Sequence, residues 1–393
     1  MIITADYLLT GDQNTVIENG AVLVEGKKIV KTAAREELLK EYPGEEVKEF
    51  SGTLMPGMID LHNHFAYFYD TPYERVFAEE PYKLAFWMAS RMKDTLKMGV
   101  TTVRDVSSPF NIGPQIKWAM ENGLMDAPRI FTCGRGICMT GGHGSSMKGG
   151  VYECDGEQEC IKAVRTDIKD GANYIKLLTS ESFRGDELTA EEIRAITGEA
   201  HRLHTRVAAH AGYGPAIKYC IDAGVDTIEH GTHLTAEDAL RMKAQDSTWV
   251  PTIYVFKYFS DQLNAAPADD ADPEDRTAEY LDEACRIYRD EFKKLYDTGV
   301  RVACGTDTDC VGYPGVAPVC EECRIMVEYG ITPLQAIECA TKNGAEALGC
   351  ADRFGMIREG LSADMIVVEG KPFEDIEALK NVKAVFLEGV RKI

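Results

Sequence analysis

Eight short runs rich in apolar residues punctuate the middle of the chain, and helical segments lie between most of them. They are Met58-Ile59-Asp60-Leu61, Val100-Thr101-Thr102-Val103, Arg129-Ile130-Phe131, Tyr174-Ile175-Lys176-Leu177-Leu178, Arg206-Val207-Ala208-Ala209, Thr227-Ile228, Trp249-Val250-Pro251-Thr252-Ile253 and Val302-Ala303-Cys304. Runs that are continuously apolar rather than alternating are those of strands covered on both faces. Several intervening segments carry helix-start signals. Thr189-x-x-Glu192, Thr235-x-x-Asp238 and Thr332-Pro333-x-Gln335 each place a hydroxyl three residues before a side chain able to reach back to it. The expected class is α/β, a (β/α)8 TIM barrel. A doubly wound sheet is the rival, but eight strands over roughly 300 residues favour the barrel.

Both ends of the chain read differently. Ala21–Val24, Lys28–Val30 and Val47–Phe50 near the start, and Ala363–Val368 and Val382–Leu387 near the end, are β-rich and broken by glycine-containing turns. This predicts a small β-sandwich domain built from residues 1–55 plus 355–393, with the barrel occupying 56–354. Two inserts interrupt the barrel pattern. Residues 65–92 are crowded with aromatics, and the stretch 256–285 contains the turn-rich acidic segment Ala265–Pro273, expected as a mobile surface excursion.

Acidic residues outnumber basic ones 64 to 43 in this chain of 393, a formal charge of −21, which disfavours binding to nucleic acid. No run is long enough to span a membrane, and the first residues lack a secretory pattern. Twelve scattered cysteines, several within apolar segments, fit buried thiols in a reducing, cytoplasmic compartment. Cys320-x-x-Cys323 has no matching second pair and is read as packing.

Metal-type side chains stand at the carboxyl ends of the predicted strands, the face on which such barrels build their sites. His62-Asn63-His64 closes the first strand, and alternation turns both imidazoles the same way. His210 ends the fifth strand, His230 the sixth, and Asp307 follows the eighth. Singly, each is explained as a polar strand end bonded to its neighbours; five converging on one face are harder to explain so. Lys176 lies inside the apolar fourth strand, where a free ammonium is costly. It is either half of a buried ion pair, or a neutral amine able to add carbon dioxide and, as a carbamate, bridge two metals. His201 and His204 are expected on a helix surface, and His233 no nearer than the residues behind the site.

These features resemble the metal-dependent amidohydrolase superfamily, in its imidazolonepropionase-like and Xaa-Pro dipeptidase-like group. The resemblance spans essentially the whole chain, from Pro56-Gly57-Met58-Ile59-Asp60-Leu61-His62-Asn63-His64 to Gly360-Leu361-Ser362-Ala363-Asp364. It implies that His62, His64 and Asp307 hold one metal. A carboxylated Lys176 would bridge to a second, held by His210 and His230. Thr140-Gly141-Gly142-His143-Gly144 is similar to the loop whose histidine contacts substrate in dipeptidase-like members. Arg135 and Lys148 are cations near that loop. Tyr213 and Tyr254 are candidate hydrogen-bond donors to a developing oxyanion, with packing an equal alternative.

The expected function is hydrolysis of an amide bond, in a dipeptide or N-acyl amino acid, with two divalent cations, zinc by preference. Asp307 would move the proton, and His143 would contact the substrate. The alternative is a deaminase or a cyclic-amide (imidazolone-type) ring hydrolase acting on a heterocycle, for which one metal and no strand lysine are the expectation. A barrel that has lost catalysis should lack ligands, and none is missing. The expected partner is a small molecule; assembly into a homo-oligomer stays open.

Overall fold

The strand Tyr174–Leu178 shows how the barrel is built. All five residues are buried. Ile175 and Leu177 join the apolar layer beneath the helices, whereas Tyr174 packs with Ala208, Val106 and Cys133 in the barrel interior. Alternation therefore puts Lys176 on the interior face as well. The computed structural model describes residues 1–66, 80–147, 149–181, 185–265, 277–308 and 317–393.

Parallel strands follow one another around the barrel: Met58–Asn63, Val100–Asp105 and Arg129–Thr132 form one run. Tyr174–Leu178, Arg206–Ala211, Thr227–His230, Thr248–Val250 and Arg301–Val302 form the next. The third strand is split. After Thr132 the chain breaks step and resumes as Gly136–Cys138, which pairs with Tyr174–Leu178. On the other side, Leu61 N donates to the Cys304 carbonyl at 3.0 Å and His64 N to that of Thr308 at 3.0 Å, joining the eighth strand to the first. This is the (β/α)8 barrel. All three threonine caps form reciprocal capping boxes, opening helices Ala190–Arg202, Ala236–Ala244 and Pro333–Cys339.

The seventh strand is shorter than the apolar run predicts. It stops at Val250, and Thr252 takes a φ of 51°, so Ile253 opens the helix Ile253–Ala265. Tyr254, expected at a strand end, lies instead in the first turn of that helix. The backbone N–H groups of Ile253 and Tyr254 donate to the buried Glu322 carboxylate at 3.0 and 2.6 Å, which caps the helix from outside. Of the two inserts, helices Pro81–Lys97 and Thr277–Asp297 are described. Residues 67–79 of the aromatic stretch and 266–276, which take in most of the acidic one, lie outside the described residues.

The two ends of the chain form two sheets. One runs Lys28–Ala34, Gly20–Glu25, Ile2–Thr4, Val47–Glu49; the other runs Val390–Arg391, Val382–Leu387, Met365–Val368, Thr53–Pro56, Tyr7–Leu9, Val16–Glu18. Ile3, Val22, Leu8, Leu54, Met365, Val367 and Phe386 fill the sandwich between them. Ile366 and Val368, on the opposite face of their strand, join the barrel's apolar cluster. Helix Arg35–Glu41, without a sequence signal strong enough to mark it, packs Leu38 against the first sheet.

Arg129 ties the barrel to this sandwich. Its Nη1 donates to Asp364 at 2.7 Å, and its guanidinium lies 4.4 Å from the centre of the Phe354 ring. Asp364 is 4% exposed. Arg129→Ala leaves that carboxylate without its countercharge, so unfolding in urea should show a loss of about 3 kcal/mol. A change under ~1 kcal/mol would mean the bridge contributes only packing.

Candidate metal centre

Six of the residues singled out by sequence gather at one end of the barrel. His62, His64 and Asp307 offer ligand atoms that all lie within 4.8 Å of one another. Asp307 Oδ1 is 3.4 Å from His62 Nε2 and 3.3 Å from His64 Nε2, and its Oδ2 is 3.8 Å from His230 Nδ1. The His230 ring lies 5.0 Å from that of His62 and 4.4 Å from that of His210, centre to centre. His143 stacks on His210 at 4.2 Å, so the glycine loop does bring its histidine to the cluster.

Local backbone chemistry sets these positions. His230 ends its strand two residues after Ile228, whose side chain faces the helices. Strict alternation would send His230 the same way; its φ of 65° breaks the alternation and turns the ring to the mouth. Asp307 also takes a left-handed φ, 52°. Such conformations are uncommon outside glycine and cluster where surroundings over-determine them. The His230 carbonyl is held by Trp249 Nε1 at 2.7 Å and Tyr288 Oη at 3.1 Å. Gly231 follows at φ 62°, and a Cβ there would lie 2.7 Å from Trp249 Nε1. Gly305 is needed for a different reason: a Cβ on it would meet Val250 Cγ1 at 2.4 Å and His62 Cβ at 2.9 Å.

Asp60, one turn of alternation below His62, clamps the first strand to the eighth. It accepts from His62 N (3.1 Å), Thr306 N (3.0 Å) and Thr306 Oγ1 (2.7 Å). Burial pushes its carboxyl up to about 6, against those bonds.

The electrostatics suit cation binding. Burial drives the imidazoles of His143 and His230 down to about 4 and those of His62 and His210 well below the usual histidine range, so all four are neutral at pH 7. Burial alone would raise Asp307, but facing His62, His64 and His230 it is held well below the usual carboxylate range. Burial lowers the Lys176 ammonium to about 8, against the pull of Glu229.

Within this cluster, Lys176 Nζ and His210 Nε2 are buried polar atoms with no hydrogen-bond partner among the described residues. Lys176 makes no ion pair within 4.0 Å among the described residues, although Glu229 and Asp307 attract it. Orphaned buried donors and acceptors are rare unless something else satisfies them. Neutral imidazoles, a carboxylate and an unpartnered amine together fit divalent transition metals. His62, His64 and Asp307 would hold one, and His210 and His230 would contribute to a second.

The expected substrate contacts are placed less tightly. Arg135 lies over the Tyr152 ring at 4.5 Å, and the half-exposed Tyr213 ring packs at 5.0 Å against His233. Tyr254 is buried against Tyr258. Lys148 lies outside the described residues. His201 is bonded to Asp226 at 2.9 Å, on the surface as expected. Cys320 and Cys323 are buried in helix Pro318–Glu328.

Sequence reasoning passes over Arg104, Glu229 and Thr252. Thr252 Oγ1 is 2.8 Å from His230 Nδ1, and Glu229 Oε2 is 2.8 Å from His62 Nδ1. Arg104 and Glu229 carry the same signal as Lys176, a charge within an apolar strand.

Comparison with known proteins places the chain in a family. The amidohydrolase family profile matches residues 53–392. Ochratoxinase of Aspergillus niger is 29% identical over 420 residues, covering 98% of this chain and 84% of that protein. The crystal structure of A. niger ochratoxinase matches with a TM-score of 0.87 and 26% identity over 99% of this chain and 95% of that one. A crystal structure of a Xaa-Pro dipeptidase with methionine bound in its active site matches with a TM-score of 0.86 and 29% identity, over 99% and 98%. With its fold, its strand-end histidines and a family match over most of its length, the chain belongs to the amidohydrolase family and is an enzyme of that superfamily.

Proposed function

We propose that this protein is a dinuclear metal-dependent hydrolase of amide bonds that acts on a dipeptide or an N-acyl amino acid. The observation that carries the reading is Lys176 Nζ, buried without a hydrogen-bond partner among the described residues, in a cluster with neutral imidazoles and Asp307; these residues, with Lys176 N6-carboxylated, would suit two cations. Ochratoxinase and a Xaa-Pro dipeptidase, similar over almost the whole chain, support the amide reading. The methionine in the dipeptidase's active site favours an amino-acid-sized product.

When bound, two divalent cations, zinc by the nature of the donors, supply Lewis acidity at the scissile carbonyl and a water acidic enough to ionise near neutral pH. The chain's residues do the rest. Asp307, ionised at neutral pH, accepts a proton from the attacking water and delivers it to the amide nitrogen as the C–N bond breaks. His143 is neutral and stacked on His210, so it can hydrogen-bond the substrate without adding charge to the mouth. Phe256, edge-on to His230 at 5.8 Å, gives the pocket an apolar side.

The test is a panel of dipeptides, Xaa-Pro dipeptides included, and N-acyl amino acids, assayed after metal quantification. Two metals per chain with turnover of at least one amide is the expected result. Ammonia released from a purine or pyrimidine, with every amide left intact, would replace this reading with the deaminase.

A further inference from the structure

Beneath the cluster, the barrel interior holds an ion pair that the proposed chemistry does not use. Arg104, from strand Val100–Asp105, and Glu229, from Thr227–His230, are 3% and 0% exposed. Arg104 Nη2 donates to Glu229 Oε1 at 2.6 Å and Nη1 to Thr227 Oγ1 at 3.1 Å. Its Nε donates to the Leu61 carbonyl at 2.5 Å, one residue before His62. The Thr227 hydroxyl also donates to Glu229 Oε1. Oε2 is left for His62 Nδ1, 2.8 Å away.

A buried ion pair is a weak source of stability, because desolvating both charges offsets their attraction. Its placement is better explained by what it fixes. A carboxylate oxygen is an acceptor, so the proton of a neutral His62 sits on Nδ1 and the Nε2 lone pair points to Asp307. Arg104 meanwhile holds the backbone at Leu61, so the same pair sets both the ring and its anchor. Both Glu229 oxygens are thereby engaged. Glu229 exerts the strongest attraction on Lys176, yet Lys176 Nζ has no hydrogen-bond partner among the described residues.

We infer that Glu229 is a positioning residue that fixes the tautomer and orientation of His62, and that Arg104 occupies Glu229 so that it does not capture Lys176. The inference rests on the metal-binding reading above, and its test separates the two. Glu229→Gln should weaken zinc at the His62 position about 10–100-fold, read by competition with a chromophoric chelator, while the second ion keeps its wild-type affinity. Wild-type affinity for both ions would overturn the inference. In metal-free wild-type protein labelled with 15N-histidine, the resonance lost in His62→Gln should report protonation at Nδ1; protonation at Nε2 would overturn it equally. That measurement needs no metal and no variant at position 229. Should wild-type protein bind no zinc at all, the functional reading falls, and the tautomer still decides the role of Glu229.

Discussion

Lys176→Ala is expected to bind fewer than two zinc ions per chain and to lose at least about 10³-fold in kcat/KM, since Lewis-acid assistance is worth several kcal/mol. Among the described residues nothing replaces it: Arg104 is bound to Glu229, and the neighbours on its own strand face are Tyr174 and Leu178. Metal content and activity should fall together, and added bicarbonate should not restore either. A variant that keeps both metals and its activity would remove the bridging role. The same side chain makes a pH-dependent statement about the metal-free protein. Its folded-state pKa, about 8, lies below the 10.5 of a free lysine. Between those values the unfolded chain binds more protons, so stability rises with pH through that window, and the full penalty applies below pH 8. Metal-free Lys176→Met has no such group. It should be more stable than metal-free wild type at pH 7, with the difference closing towards pH 10.5. A difference independent of pH would mean that shape, not charge, sets the cost of the lysine.

How much of this was legible in the sequence follows from the range of the interactions involved. Thr189, Thr235 and Thr332 cap helices through partners three residues away, so their motifs announce them. His62 and His64 share a face because alternation is a property of one strand. Lys176 stands out because a charge in an apolar strand must be accounted for. Arg104 and Glu229 stand out in the same way, but their meaning lies in each other, 125 residues apart, and in His62, 167 residues from Glu229. Only the closed barrel brings them together. The positive φ values at Thr252, His230 and Asp307 are likewise invisible: a β-branched threonine disfavours such a φ, and histidine and aspartate adopt it only occasionally, so no local signal announces it. They are imposed by tertiary contacts such as those that Trp249 and Tyr288 make to the His230 carbonyl. Tyr254 illustrates the consequence: Thr252 turns the chain out of the strand, and a residue expected at the mouth becomes part of a helix.

Asp307→Asn separates holding a cation from moving a proton. Asparagine keeps the size of the side chain and one oxygen near His62 and His64, but an amide oxygen is far too weak a base to take a proton from water. General acid–base catalysis contributes about 10²–10⁴-fold, so kcat should fall by that factor. KM should change much less, because His143 and the apolar side formed by Phe256 are untouched. The carboxyl of Asp307 is held well below the usual range, so in wild type it stays ionised into moderately acidic solution. The acid limb of the wild-type pH profile should therefore not report its protonation. Metal analysis of the variant keeps the result interpretable: a protein that retains its metals and loses kcat assigns the proton transfer to Asp307. One that retains its metals and stays within tenfold of wild type would move that role to another group, and His143, neutral and stacked beside the cluster, is the next to examine.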